Sequence, residues 1–357
     1  MISWVIGAPL KLDSDDPERR FMSNRSRFVQ AALVAVLTAA TALFTVVASA
    51  PAHADPPDTS YWPDAHNTGY PHGLAGDTRT PVTLTTYTGP WTITTPNTVI
   101  DGKLIPDRID IRATGVVIKN SFIQVSDAQA LNINDVYHLT IMDTEIDGQC
   151  GDTTAGGISL VGDGSFTMIR VNAHGSGDIA RANWGGVAVV DSWLHDPCGT
   201  AEAEETQHND VLQTTDGDCD VIADGIHGRI PGTSDSVDGS FCIKYVHNRF
   251  ENMQTQTSLM LFKADQGAIH DVMVYDNLLN GGGYSVYWYD NNNPASFKAR
   301  FGVFAGNRWL RGSGQAGVDT HGPWQNGGYY GPLAIEADNL PVWFDNRWLD
   351  TGAPIQP

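Results

Sequence analysis

The sequence predicts an all-β chain wound as a right-handed parallel β-helix of about nine to ten turns, and three observations predict it. Short β-branched or apolar runs recur, each closing on a polar turn residue, with turn residues 21 to 39 residues apart. No 3.6-residue periodicity separates them, so helices do not intervene. Leu is too sparse for a leucine-rich frame, and the units are too short for four-stranded propeller blades. An irregular β-sandwich is the alternative.

Composition is that of a globular chain. Of 357 residues, 41% are hydrophobic and only 17% charged. Against 41 acidic residues stand 21 Lys and Arg, a net charge of -20, which argues against a nucleic-acid partner because phosphate binding needs clustered cations.

Residues 1–54 read as an upstream extension and a secretory signal peptide. Phe28 to Ala50 is an almost unbroken apolar run, preceded by Arg25 and Arg27 and followed by Ala52-His53-Ala54, a small-x-small cleavage pattern. Cleavage is expected after Ala54, and Met22 competes with Met1 as the start. An uncleaved membrane anchor is the alternative, since the run is long enough to span. The expectation is a secreted chain, not inserted in a membrane after cleavage, and a monomer. Its 303 residues, 16 basic and 37 acidic, form a single domain, 55–357, with 55–98 as an N-terminal cap.

The repeating runs then follow in order. They are Val116 to Ile123, Leu139 to Ile146, Phe166 to Ala173, Val187 to Leu194, Asp220 to His227, Ile243 to Phe250, Val272 to Leu279, Gly302 to Trp309 and Pro341 to Trp348. Their turn residues are Asn120, Asp143, Arg170, Asp191, Asp224, His247, Asp276, Gly306 and Asp345, about 28 residues apart on average. Twelve residues before four of them stand Leu131, Ile158, Ile179 and Leu212, an apolar column expected to face inward.

Four Cys in an exported chain suggest two disulfides. Cys219 and Cys242 each lie five residues before a turn residue on successive units, which predicts their pairing. Cys150 and Cys198 each lie seven after theirs but two units apart, roughly 9.6 Å by strand stacking, so that bridge needs a bent loop. A zinc site using all four is the rival, although no C-x-x-C pair is present.

The stretches WPDAHNTG (Trp62 to Gly69), LTTYTGP (Leu84 to Pro90), HNDVLQ (His208 to Gln213), GGGYSVYW (Gly281 to Trp288) and WLDTG (Trp348 to Gly352) resemble secreted actinobacterial β-helix proteins of the pectate-lyase-like superfamily. The resemblance spans nearly all of the mature chain and implies the β-helix fold. It selects no activity, because that superfamily holds lyases, glycoside hydrolases, epimerases, adhesins and tailspikes. The mature chain lacks the adjacent Asp-Asp, Asn-Thr-Asp and Arg-Ile-Lys of polygalacturonases, the W-I-D-H of pectate lyases and the D-P-H-E of mannuronan epimerases.

In this architecture chemistry is expected in columns of outward side chains. Asp178 and Asp210 are predicted to stand on neighbouring turns, close enough to divide acid and base roles in glycan cleavage, with His208 orienting one of them. Gly156 and Gly177, at the offset of Asp210, suggest an open floor beside it. Capping of a loop is the structural alternative for Asp210. Lys263, thirteen residues before Asp276, is predicted in the column of Asp178; there it or His208 serves a lyase as base, with calcium held by the carboxylates, or Arg181, stabilising an enolate. Asp147, His174 and His195, four residues after their turn residues, form a candidate metal column, and calcium on Asp147, Asp178 or Asp210 is a second possibility. Gln213 and Arg181 are expected to touch substrate. Aromatics crowd the C-terminal third, among them Tyr284, Tyr287, Trp288, Tyr289, Trp309, Trp324, Tyr329 and Tyr330. Tyr287 and Trp288 are the expected sugar-stacking pair, with packing of the last turns as the alternative. The expected partner is a polysaccharide, handled by a lyase or a hydrolase, with a non-catalytic glycan-binding or adhesion protein as the competing class.

Overall fold

A computed structural model describes residues 58–126, 129–133, 138–151, 159–183, 186–198, 209–217, 241–254, 257–290, 296–310 and 327–357. Among these the chain forms a right-handed parallel β-helix without helices. Sheet A has ten strands, from Thr85–Thr86 to Arg347–Trp348. Sheet B has nine, from Thr92–Ile93 to Gly331–Glu336, and sheet C nine, from Val99–Asp101 to Val342–Phe344. Each rung visits A, B and C in turn, and every neighbouring pair is parallel. Stacking in register buries continuous columns, such as Ile118, Ile141, Met168, Val189, Tyr245 and Val274 in sheet C. Each fully buried member of such a column contributes about 1.5–3 kcal/mol of apolar transfer.

The turn from sheet C to sheet A is a single left-handed residue. Asn120, Asp143, Arg170, Asp191, His247, Asp276, Gly306 and Asp345 all have φ between 43° and 69°. Asn, Asp and Gly tolerate that conformation best, which explains the polar residue closing each run. The Asp224 unit departs from this plan. Strand Val187–Val190 pairs directly with Ile243–Val246, so no sheet C strand from Asp220 to His227 stands between the Asp191 and His247 rungs. What the sequence presents as two units is one rung carrying a long insertion, and residues 218–240 lie outside the described residues.

Just past these turns runs an internal ladder. Asn248, Asn277, Asn307 and Asn346 are buried, one per rung. Each Nδ2 donates to a carbonyl of the neighbouring rung, Asn248 to Val189, Asn277 to Tyr245, Asn307 to Val274 and Asn346 to Phe304, at 2.8–2.9 Å. Each Oδ1 accepts from the backbone N–H of the residue below it in the stack, Ser192, Asn248, Asn277 and Asn307 in turn. Smaller hydroxyls, Ser121, Thr144 and Ser192, occupy the corresponding place in earlier rungs.

The segment expected as an N-terminal cap divides in two. Strands of the first rung are already present from Thr85. Residues 58–82 form a strap along the left-handed turns: Trp62 Nε1 donates to the Asp276 carbonyl at 3.0 Å, Gly69 N–H to the Arg170 carbonyl at 3.0 Å, and Arg79 pairs with Asp143 at 3.2 Å.

Cys150 and Cys198 are bonded, with Cα atoms 5.5 Å apart. The two-rung gap closes because both backbone N–H groups reach to the middle rung, Cys150 to the Gly175 carbonyl at 2.8 Å and Cys198 to that of Ser176 at 2.7 Å. Left-handed Gln149, Cys150 and Asp196 supply the bends. Cys242 is also disulfide-bonded, and Cys219, its predicted partner, lies outside the described residues. The register that predicted that pair relied on Asp224 and does not hold. Replacing Cys150 and Cys198 by Ala together is expected to cost about 2–4 kcal/mol, since a crosslink spanning 48 residues restricts the unfolded chain. Denaturant titration of the double variant reads this loss.

Candidate functional site

The predicted carboxylates meet at the start of sheet B. Ala180 pairs with Leu212 and Arg181 with Gln213, which aligns Asp178 with Asp210 on adjacent rungs, about 4.8 Å apart along the axis. The column continues through Ser159 on one side and Ser258 and Tyr284 on the other. Both carboxylates are fully buried. Asp178 Oδ1 accepts the Asp210 N–H at 3.1 Å, and its Oδ2 faces Nε and Nη2 of Arg181, each at 3.3 Å. Asp210 accepts from Ser258 Oγ at 2.6 Å and from Gln213 Nε2 at 3.4 Å.

Burial, reinforced by the Asp210 charge, pushes the Asp178 carboxyl up to about 7, against the pull of the Asp210 N–H and Arg181. Burial likewise pushes Asp210 up to about 6, although hydrogen bonds from Ser258, Thr257 and Gln213 favour its charged form. Two like groups this close and this dry cannot both ionise cheaply, so one proton stays on the pair near neutral pH.

Beside this pair runs a row of sheet B side chains, Arg181, Gln213, Leu261 and Tyr287, in register on successive rungs, of which Leu261 is buried and the others are partly exposed. Beside Arg181 the row continues with Gly162, where a Cβ would stand 2.9 Å from that of Arg181. Tyr284 lies edge-on to Tyr287 at 5.3 Å and against Tyr330 at 5.5 Å. Burial, with Tyr284 and the Asp210 charge, pushes the Tyr287 phenol up to about 12. Arginine, amide and phenols thus stand in a row on sheet B beside a buried carboxyl pair that keeps one proton.

Asp178, Asp210, Arg181, Gln213 and Tyr287 are therefore brought together, while other expected members are not. Trp288 is buried in the core, its Nε1 donating to the Asn339 carbonyl at 2.9 Å, because strand alternation turns it inward as Tyr287 turns outward. Lys263 is not in the column of Asp178. That place belongs to Ser258, five residues earlier and roughly 17 Å away along the strand, and Lys263 pairs with Asp265 at 2.8 Å. Counting back from the turn residue fails because loops between sheets B and C differ in length from rung to rung. The same fault put Ile179 in the column of Leu131 and Leu212, where Val161 and Ala180 stand, and Ile158 lies outside the described residues. His208, Gly156 and Trp324 lie outside the described residues. Ser258 and Tyr330, which sequence reasoning did not assign to this site, complete it; the available signal for Ser258 was a polar residue opening the apolar LMLF run (Leu259 to Phe262).

The expected metal column does align on sheet A, Asp147 with His174 and His174 with His195. It does not converge on an ion. The two imidazoles stack at 4.9 Å, and His195 stacks on Trp193 at 3.7 Å, so their in-plane lone pairs point sideways rather than to a common centre. His195 Nδ1 meets Asp196 and Nε2 meets Asn172, both at 2.8 Å. Burial opposes the charging of His174, but Glu145, Asp147 and Asp196 outweigh it and raise its pKa. Among the described residues no group of three or more His, Cys, Asp or Glu side chains is arranged to hold a metal.

No protein-family model matches the chain, and neither the curated proteins nor the solved structures yield a match.

Proposed function

We propose that this chain is a secreted carbohydrate-active protein of the pectate-lyase-like kind, which cleaves an extended polysaccharide by hydrolysis in the sheet B groove. The observation that carries the reading is the Asp178–Asp210 pair, whose raised pKa values keep one acid protonated at neutral pH, as a general acid requires. Its partner, once ionised, serves as base or nucleophile, and a one-rung separation suits the short carboxyl spacing of retaining enzymes, about 5 Å. Arg181, Gln213 and the Tyr284, Tyr287 and Tyr330 rings offer hydrogen bonds and stacking to a sugar chain. The lyase version loses one of its two candidate bases, since Lys263 is ion-paired with Asp265 away from the carboxyl pair, while His208 lies outside the described residues. Export rests on the apolar run of residues 28–50 and its cleavage pattern.

The test is a screen of the purified protein against plant, algal and microbial polysaccharides, with and without calcium, reading reducing ends and unsaturated-uronate absorbance together. New ends without absorbance are expected, and Asp210→Asn is expected to lower turnover about 10²–10⁴-fold. Turnover that survives Asp210→Asn would remove this site. Full burial of both carboxylates favours a second reading, a glycan-binding protein in which the pair braces Arg181 and Gln213. That reading predicts affinity for a polysaccharide with no new ends.

A further inference from the structure

The strap carries the inference. At its start, Tyr61 and Trp62 dock on the turns of two rungs at one imidazole. His247, the left-handed turn residue of its rung, has Nδ1 at 2.7 Å from Asp191 Oδ1 and Nε2 at 3.1 Å from the Tyr61 carbonyl. A carboxylate and a carbonyl are both acceptors, so this arrangement uses an N–H on each ring nitrogen, which only the imidazolium provides. The Tyr61 ring lies edge-on to the imidazole at 4.7 Å, and its hydroxyl donates to Asp276 Oδ2 at 2.8 Å. Trp62 Nε1 donates to the Asp276 carbonyl, and the indole packs in a small cluster with Leu278 and Leu310.

We propose that His247 is a proton-operated latch that fastens the start of the N-terminal strap to the turns of the β-helix. With the proton on, the ring bridges Asp191 and Tyr61 by two charge-assisted bonds. With the proton off, one nitrogen is a lone pair facing an acceptor, and the strap loses either its carbonyl contact or the ring that holds it. The charged and titratable groups facing the ring are Asp191 from the rung below, Asp276 from the rung above and Tyr61 from the strap, with Arg308 next to Asp276. Asp191 and Asp276 favour the imidazolium, and Arg308 bears on Asp276 rather than on the ring. The Asp191 hydrogen bond, partly opposed by burial and aided by the Asp276 charge, raises the His247 pKa above its ordinary 6.5. The contribution to docking is therefore complete below about pH 6.5 and is lost as pH rises through that raised value. At the far end of the strap Arg79 is held by Asp77 and Asp143, and His72 stands close enough to Asp77 to help lower its pKa.

Amide hydrogen exchange of the full chain, expressed as protection relative to intrinsic rates, tests the latch. Protection at Ser60 to Trp62 is expected to fall about tenfold between pH 5.5 and pH 9, the ratio that one lost hydrogen bond to a charged group represents, while the amides of strand Ser258–Lys263 hold theirs. His247→Gln, which offers one neutral donor group, is expected to show the low value at both pH values. Unchanged wild-type protection across this range, or a pH dependence that survives His247→Gln, would overturn the latch. Titration of the His247 ring by NMR in the unsubstituted protein needs no variant to fold: a midpoint above 6.5 supports the proposal, and one below it overturns it.

Discussion

Replacing Asn277 by Ala is expected to lower the free energy of unfolding by about 3–5 kcal/mol, read by denaturant titration. The side chain is fully buried and serves three neighbours at once: Nδ2 donates to the Tyr245 carbonyl and to Asn307 Oδ1, and Oδ1 accepts from both N–H and Nδ2 of Asn248. Truncation leaves two donors of Asn248 without partners and takes one bond each from the Tyr245 carbonyl and Asn307 Oδ1, in a core where water cannot replace them. A solenoid rung contacts only its neighbours, so the loss is expected first in hydrogen exchange of strands Ile243–Val246 and Ala299–Ala305. Asn120→Ala is the matched control. Asn120 is a left-handed turn residue at φ 49° on the outside, and its replacement is expected to cost about 1 kcal/mol of backbone strain. Equal losses from the two substitutions would mean that the ladder is not what holds the rungs in register.

That ladder also shows where the sequence was legible and where it was not. Turn residues stood out because one conformational demand recurs: a left-handed residue after each sheet C strand selects Asn, Asp or Gly, and Asp143, Asp191, Asp276, Gly306 and Asp345 satisfy it. Asp224 satisfies it in composition only, since the β-branched run around it is no rung between Asp191 and His247. The His-Asn, Asp-Asn, Gly-Asn and Asp-Asn pairs at 247–248, 276–277, 306–307 and 345–346 were in view, yet only stacking of those Asn side chains reveals the second member's role. Columns on sheet A were readable because the path from the turn to Asp147, His174 or His195 is the same four residues in each rung. Columns on sheet B were not. From Ser258 to Asp276 is 18 residues and from Tyr284 to Gly306 is 22, so a fixed offset drifts and misplaces Lys263 while still finding Asp178. Inward or outward direction, which separates Tyr287 from Trp288, follows from strand parity once the register is known.

Wild-type stability is expected to fall by several kcal/mol as pH rises from about 4 to about 7, mainly because of Asp178 and Asp210. Their folded pKa values, about 7 and about 6, stand above the ordinary 3.8. Below about pH 4 both states hold these protons and nothing is lost. Through the window above it, the unfolded chain releases protons that the native pair retains, so each step up in pH favours unfolding until the native pair has titrated. Paired carboxylates such as Asp77, Asp101, Asp110 and Asp345 are shifted the other way, and their stabilisation is lost only as pH falls through values below 3.8, outside this window. Asp210→Asn replaces one of the two like charges by a neutral amide of the same shape, which still accepts from Ser258 Oγ. The variant is expected to lose most of the slope between pH 4 and pH 7 and, at pH 8, to be more stable than the wild type by about 1–3 kcal/mol. An unchanged slope would place the pH dependence elsewhere and undercut the raised pKa values on which the acid and base roles rest. A stabilised variant that also loses turnover would show the chain carrying a buried acid pair against its own stability, which packing alone does not explain and proton transfer to a bound glycan does.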